Sequence, residues 1–391
     1  MVTEADTTPG SQSALRQANE RRVVDTLRSR GTCTQAELAR ATGLSAASVS
    51  NIVRGLRTSG TVAVRATSSN GRRARAVTLL RPPGTVVAVD FTADRLRVAV
   101  ADHEGALLER EAIDYDVAVD PARAVRRAAW LVETVLFRGR VDLASVASVV
   151  ISVPAPLDPG TGTVGAVSCM PRWTGTRPAQ ALQERLGRPV HAENDANLAA
   201  VAEHGRGAAR GADTVMYLLL GEGVGAGLVL GGRLLRGADG TAGEIGHVGL
   251  DPRGHVCRCG NRGCLETFVG TSYLLAMVPH GSDLARDGQV DLPRLVAAAH
   301  EGDPSSRRIV SEAGTALGQG TAIVANLFNP DRIVVGGPLA AAGDLLLDPM
   351  SREMELGTLG SALERLDVVT SELGEFAALY GALLVAAELP V

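Results

Sequence analysis

Lysine is missing from this 391-residue chain, so all 39 basic residues are arginines. Aromatic side chains are scarce at 3% of residues, while glycines number 45. That balance implies a core of Val, Leu and Ala interrupted by many tight turns. No stretch approaches the roughly 18 consecutive apolar residues of a membrane span, which sets membrane proteins aside. Met1 to Ser13 carry neither a basic segment nor an apolar one, so no signal peptide is expected. Five cysteines do not form a disulfide framework, because Cys257, Cys259 and Cys264 crowd into eight positions. Their spacing predicts a metal loop in a reducing cytoplasm, with Cys33 and Cys169 as ordinary buried thiols. Secreted, fibrous and disordered classes are excluded too, and the length suits two or three domains.

Charge is divided unevenly. Residues 1–80 hold 12 arginines against five acids (Glu4, Asp6, Glu20, Asp25, Glu37), a net of +7. The rest holds 27 arginines against 38 acids, a net of −11, giving −4 overall. A small basic module on an acidic body predicts contact with a polyanion.

The module's pattern names the polyanion. After a tail expected to be disordered over 1–13, a domain spans 14–80. Leu15 to Arg28 has Val23, Val24 and Leu27 at helical spacing. Thr34-Gln35-Ala36-Glu37 reads as a capping box, and Gly43 suits the left-handed end of that short helix. Ser45 caps the next helix, where Val49, Ile52, Val53 and Leu56 form a buried stripe. This is a helix-turn-helix. Its second helix leaves Ala47, Ser48, Ser50, Asn51 and Arg54 outward, where small and polar side chains can approach base edges. Strands over Thr61–Arg65 and Ala74–Leu80 would flank an Asn70-Gly71 hairpin turn, with Arg72, Arg73 and Arg75 forming a wing on phosphates or a minor groove. The partner expected is a double-stranded DNA operator.

Residues 81–84 (Arg-Pro-Pro-Gly) read as a linker, and the body spans 85–391. Strand-like runs at Val86–Asp90, Arg95–Ala101 and Ala106–Ile113 are echoed at Thr214–Leu220, Gly225–Leu230 and Arg233–Leu235. Two related meanders followed by helices predict two α/β lobes with a cleft between them.

Five motifs follow in order: Val153-Pro154-Ala155-Pro156, Glu193-Asn194-Asp195-Ala196-Asn197, Gly221-Glu222-Gly223-Val224-Gly225-Ala226-Gly227, Ala242-Gly243-Glu244-Ile245-Gly246-His247, and Cys257 to Glu266. Together they resemble the ROK family, which groups sugar-responsive repressors with sugar kinases. The resemblance spans about residues 85–388 and implies a two-lobed, actin-like and ribonuclease-H-like fold; the mainly α winged module ahead of it matches the repressor branch. Three thiolates from one loop plus His247 would make a closed tetrahedral shell for one structural Zn²⁺ per chain, and Arg253, Arg258 and Arg262 nearby would favour the thiolates electrostatically. The resemblance further implies that Asn194, Asp195, Glu244, His247 and Glu266 contact sugar hydroxyls. In the family's kinases the residue matching Asp195 is the general base.

The phosphate loops depart from the kinase pattern. Where the family has Asp-x-Gly-Gly-Thr, this chain has Asp90-Phe91-Thr92-Ala93-Asp94, and Gly-Thr-Gly becomes Gly221-Glu222-Gly223. Asp94 and Glu222 would repel a polyphosphate in a confined cleft. Gly336-Gly337-Pro338 also lacks a usual third glycine. These features predict a cytoplasmic repressor of sugar genes, a homodimer or homotetramer, with a sugar or sugar-derivative effector and no catalytic residues. The alternatives are an active sugar kinase carrying a DNA module, or a regulator controlled by a protein partner.

Overall fold

The computed structural model describes residues 12–389 apart from 60, 70–71, 80–83, 167–168, 280–283 and 285–289. Two compact units part between Pro83 and Gly84.

The first unit runs α1 (Gln12–Arg30), β1 (Cys33–Thr34), α2 (Gln35–Thr42), α3 (Ala46–Thr58), β2 (Val62–Ser69) and β3 (Arg72–Leu79). Its caps form as the sequence dictates. The Thr34 hydroxyl accepts the Glu37 amide at 3.3 Å, and the Glu37 carboxylate accepts the Thr34 amide at 2.7 Å. Gly43 ends α2 at φ 68°, and Ser45 caps α3 through the Ser48 amide. Val23, Leu27, Leu38, Val49, Val53, Leu56, Val62 and Val77 close a single core. Two expectations change. The helix already includes Gln12 and Ser13, because no breaker follows Pro9-Gly10; residues 1–11 of the expected tail lie outside the described residues. The hairpin ladder also runs further, from Val62↔Leu79 to Ser69↔Arg72. Arg72 and Arg73 are therefore strand residues, and the Asn70-Gly71 turn lies outside the described residues.

The second unit contains two sheets of the same topology. The first lobe has β4 (Thr85–Phe91), β5 (Arg95–Asp102), β6 (Leu107–Asp114), α4 (Pro121–Arg138), β7 (Val146–Val153), α5 (Pro178–Leu186), β8 (Val190–Asn194) and α6 (Asp195–Arg206). The second has β9 (Thr214–Leu220), β10 (Val224–Leu230), β11 (Arg233–Leu235), α7 (Glu266–Val269), α8 (Thr271–Ala276), α9 (Leu292–Glu301), α10 (Pro304–Phe328), β12 (Arg332–Gly336), α11 (Asp344–Gly357), α12 (Gly360–Leu363), β13 (Asp367–Thr370) and α13 (Ala377–Glu388). Sheet orders are β6-β5-β4-β7-β8 and β11-β10-β9-β12-β13, each an antiparallel meander extended by two parallel strands.

Both faces of β4 are covered, which explains its unbroken apolar run: Val87, Val89 and Phe91 meet α4, while Val86 and Ala88 meet α13. The lobes exchange helices. Leu379, Ala382 and Leu383 of α13 pack on the first sheet, and Ala199 and Ala200 of α6 pack on Val215 and Val229 of the second. The two helices cross so closely that a side chain at Gly381 would strike the Leu198 carbonyl. Among the described residues, no helix is long and apolar enough to cross a membrane.

Candidate functional site

A cleft of about 730 Å³ lies between the two sheets, and Asn194, Asp195, Glu244, His247 and Glu266 all line it. Helix α6 supplies the first pair. Asn194 caps it by accepting the Asn197 amide at 3.1 Å and donates its side-chain amide to the Asp195 carboxylate at 3.1 Å and the Ala155 carbonyl at 3.3 Å. The Val153–Pro156 motif therefore anchors the capping residue from an adjoining loop. Asp195 also accepts the Ala196 amide at 2.8 Å. Burial pushes its carboxyl up to about 7; the Ala196 amide opposes this, while Asp90 and Glu244 add to it. Burial, with Glu266 nearby, raises Glu244 to about 7 as well. Two carboxyls near neutrality and an oriented amide suit vicinal hydroxyls, which both donate and accept.

His247 joins this set to the cysteine loop. Glu244 precedes a single 3-10 turn, Ile245–His247, which brings the His247 Nε2 within 3.8 Å of its carboxylate. The other ring nitrogen, Nδ1, faces the Cys257 Sγ at 3.5 Å, and the Cys259 and Cys264 sulfurs are 3.6 Å apart. The four ligand atoms all lie within 4.8 Å of one another, so the cluster can hold a metal ion. A tetrahedral ion with Zn–S near 2.3 Å separates its ligands by about 3.8 Å, which these spacings match. Three thiols and an imidazole with its second nitrogen turned to a carboxylate are a soft, closed donor set.

Sequence reasoning assigned the nearby arginines to the thiolates, but Arg258 is spent elsewhere. Its Nε pairs with Glu266 at 2.7 Å and its Nη2 donates to the Glu222 carbonyl at 3.1 Å. Glu266 is 4% exposed, and a side chain at Gly223 would press on its carboxylate, so that glycine is required for close approach. Cys169 also departs from expectation: it is only half-buried and lines the cleft. Burial pushes its thiol up to about 12, so it stays protonated there.

The end of the cleft that would hold phosphates contains a network not foreseen from sequence. Asp90 is buried and pairs with Arg97 at 2.9 Å; the same guanidinium reaches Glu375, from the second lobe, at 2.8 Å. A buried arginine within the apolar run of β5 was the available signal, since such a charge requires a partner. Asp94 and Glu222 line the cleft and are exposed. Asp94 accepts the Thr92 hydroxyl at 3.1 Å. Pro338 begins a short 3-10 turn directly after Gly337, whose φ of 88° keeps its backbone against Leu220.

In the first unit, Ala47, Asn51 and Arg54 are exposed on α3, while Ser48 and Ser50 are half-buried. Arg75 is exposed on β3; the side chains of Arg72 and Arg73 lie outside the described residues.

Two actin-like lobes around a cleft, with an adjoining His–Cys cluster that can hold a metal ion, in a chain that also carries a winged helix-turn-helix, define a regulator-type architecture. The ROK family model matches residues 86–388 and a MarR family model matches 17–74. The chain belongs to the ROK family and carries a MarR-type winged helix-turn-helix, the organisation of a sugar-responsive transcriptional repressor. It is 25% identical over 386 residues to the xylose repressor of Caldicellulosiruptor bescii, covering 95% of this chain and 96% of that protein. It is 30% identical over 311 residues to a Thermotoga maritima glucokinase, covering 77% of this chain and 96% of the enzyme. A solved ROK family transcriptional regulator, described as a homolog of the E. coli MLC protein, superposes with a TM-score of 0.72 at 27% identity, covering 95% of this chain and 99% of that one.

Proposed function

We propose that the chain is a DNA-binding repressor of sugar-metabolism genes, released or engaged by a sugar or sugar derivative in the cleft, and that it does not phosphorylate that sugar. The carrying observation is the cleft's asymmetry. Its hydroxyl-binding end keeps Asn194, Asp195, Glu244, His247 and Glu266, whereas its phosphate end is lined by the Asp90–Arg97–Glu375 network and flanked by the exposed carboxylates of Asp94 and Glu222. Phosphoryl transfer depends on holding and neutralising the transferred group, and fixed carboxylates oppose that. The His247, Cys257, Cys259 and Cys264 shell holds a structural zinc in this reading, which ties the loop presenting His247 and Glu266 to the cleft.

The effector acts through differential affinity for two lobe arrangements, which changes how paired DNA modules meet two half-sites. Paired reading calls for a homodimer or homotetramer. Ala47, Ser48, Ser50, Asn51 and Arg54 meet base edges, and Arg72, Arg73 and Arg75 meet phosphates. A repressor that reads chromosomal DNA works in the cytoplasm.

One observation favours the kinase reading: Asp195, at about 7, is poised for general-base work near neutral pH. Binding of genomic fragments with and without a panel of sugars, run beside an ADP-release assay with the same sugars, separates the two. Sugar-dependent fragment binding without ADP release supports repression alone. Turnover that is lost in Asp195→Ala establishes the kinase.

A further inference from the structure

Helix α4 buries Ala124, Val125, Ala128, Leu131, Val132, Val135 and Leu136 against the first sheet, so its opposite face owes nothing to the core. That face is unusual for this molecule. Of five phenylalanines and two tryptophans in the chain, Phe137 and Trp130 are the pair that stand exposed, at 84% and 47%. They are seven residues apart, two helical turns along one stripe, and Arg123 lies seven residues before Trp130 on the same stripe. Arg126 and Arg127 flank it, and the Arg127 guanidinium covers the Trp130 ring at 3.8 Å. Residues 121–140 hold five arginines against Glu133 alone, a net of +4 on a body whose net charge is −11. Arg138 is used internally, pairing with Glu111. Among the described residues, none of Arg123, Arg126, Arg127 and Arg140 pairs with a carboxylate.

Arg140 extends the basic face past the helix end. It sits just past the helix at φ 55°, in the left-handed region that favours glycine or asparagine. The Val141 amide returns to the Leu136 carbonyl at 2.9 Å across this residue, so the conformation closes the helix end and leaves the Arg140 side chain exposed.

We propose that the outer face of α4 is a docking surface for a regulatory partner protein whose own surface carries an apolar patch ringed by carboxylates. Trp, Phe and Arg on a rigid helix are the residue types that anchor protein interfaces, and the local charge inversion selects an acidic partner over the chain's own surroundings. Nucleic acid fits less well. The Trp130 face is already covered by Arg127, so it offers no stacking platform, and an exposed Phe137 gives nothing to a phosphate backbone. The inference is independent of whether a sugar occupies the cleft.

The test places the photo-crosslinker p-benzoylphenylalanine at Phe137 of the full chain expressed in its host, with the same probe at exposed Glu301 as the control position. Operator binding of the purified variant confirms folding. The expected result is an adduct to one other protein species that is not formed from position 301. That protein, once purified, should change the emission of Trp130; Trp173, fully buried, supplies a constant background. Its affinity should fall at least tenfold in Phe137→Ala and in the double variant Arg126→Glu, Arg127→Glu, and should weaken with salt. Adducts only to a second copy of this chain or to DNA overturn the proposal. So do equal labelling from position 301 and binding indifferent to the arginines.

Discussion

Arg97 and Asp90 stand directly opposite each other on β5 and β4, joined at 2.9 Å, with neither more than 7% exposed. The other arm of Arg97 reaches Glu375 across the lobes, and its Nε has no partner among the described residues. A buried ion pair is costly to assemble but more costly to break, because the survivor is left charged and dry. Arg97→Ala should therefore destabilise the body by about 3–5 kcal/mol in denaturant unfolding. Replacing both members, as Asp90→Asn with Arg97→Met, should recover most of that loss. A single variant as stable as the parent would remove the pair from the account of the cleft. ATP at millimolar concentration should give no calorimetric signal with the unmodified chain, since Asp94 and Glu222 set carboxylates where the phosphates would lie and Arg97 is already paired.

In the DNA module, base readout and phosphate contact should separate by variant. Asn51→Ala should blunt discrimination at one operator position, costing roughly 1–3 kcal/mol there and little on random DNA. Arg75→Ala should weaken binding to every sequence and lower the salt slope by about one. Electrophoretic shifts across a salt series read both quantities. Equal effects of the two variants on specific and random DNA would mean that α3 does not enter the groove.

The metal loop gives a compositional prediction. Protein dialysed against metal-free buffer should retain one zinc per chain by elemental analysis, and Cys259→Ser should lose it. The melting temperature should drop with it, because ligand closure also organises the loop that carries Arg258 and Glu266. Arg258→Ala should keep the zinc but weaken effector binding, since its contacts are to Glu266 and the Glu222 carbonyl rather than to sulfur. A metal-free chain of undiminished stability contradicts the assignment.

Much of this architecture was legible in the sequence where its causes are local. The capping box at Thr34–Glu37, the αL glycine at Gly43 and the Ser45 cap are decided within four residues. The cysteine spacing and the Glu244–His247 turn are similarly short-range. Arg97 and Glu375 are 278 residues apart, and only the exchange of α6 and α13 between the lobes brings them together. Nothing in either neighbourhood announces the partner. Arg258 illustrates a subtler failure: its position between two cysteines suggested thiolates, but Glu266, eight residues on, offers a full carboxylate charge at 2.7 Å. The wing was foreshortened for a third reason, because a hairpin with a two-residue connection continues pairing up to the turn itself, and Ser68, Ser69, Arg72 and Arg73 carry no β-type pattern.

Asp195 gives the cleft a pH signature whose sign follows from its surroundings. Burial, reinforced by Asp90 and Glu244, places its folded pKa at about 7, above the ordinary carboxylate value. Between the two, the folded state retains a proton that the unfolded chain has released. Stability from this group is therefore greatest below about pH 4 and declines as pH rises to about 7, beyond which both states are ionised. Other groups titrate in the same range, so the quantity to read is the difference between the parent and Asp195→Asn. The asparagine variant should gain relative stability between pH 5 and 8, on the order of 2 kcal/mol once solvent access to the cleft is discounted. Effector binding should run the opposite way, because an ionised carboxylate accepts hydroxyl hydrogen bonds more strongly than a protonated one. Calorimetric affinity for the effector sugar should rise through pH 7 in the parent and be flatter in Asp195→Asn. A parent affinity that is flat across that range would place the sugar away from Asp195.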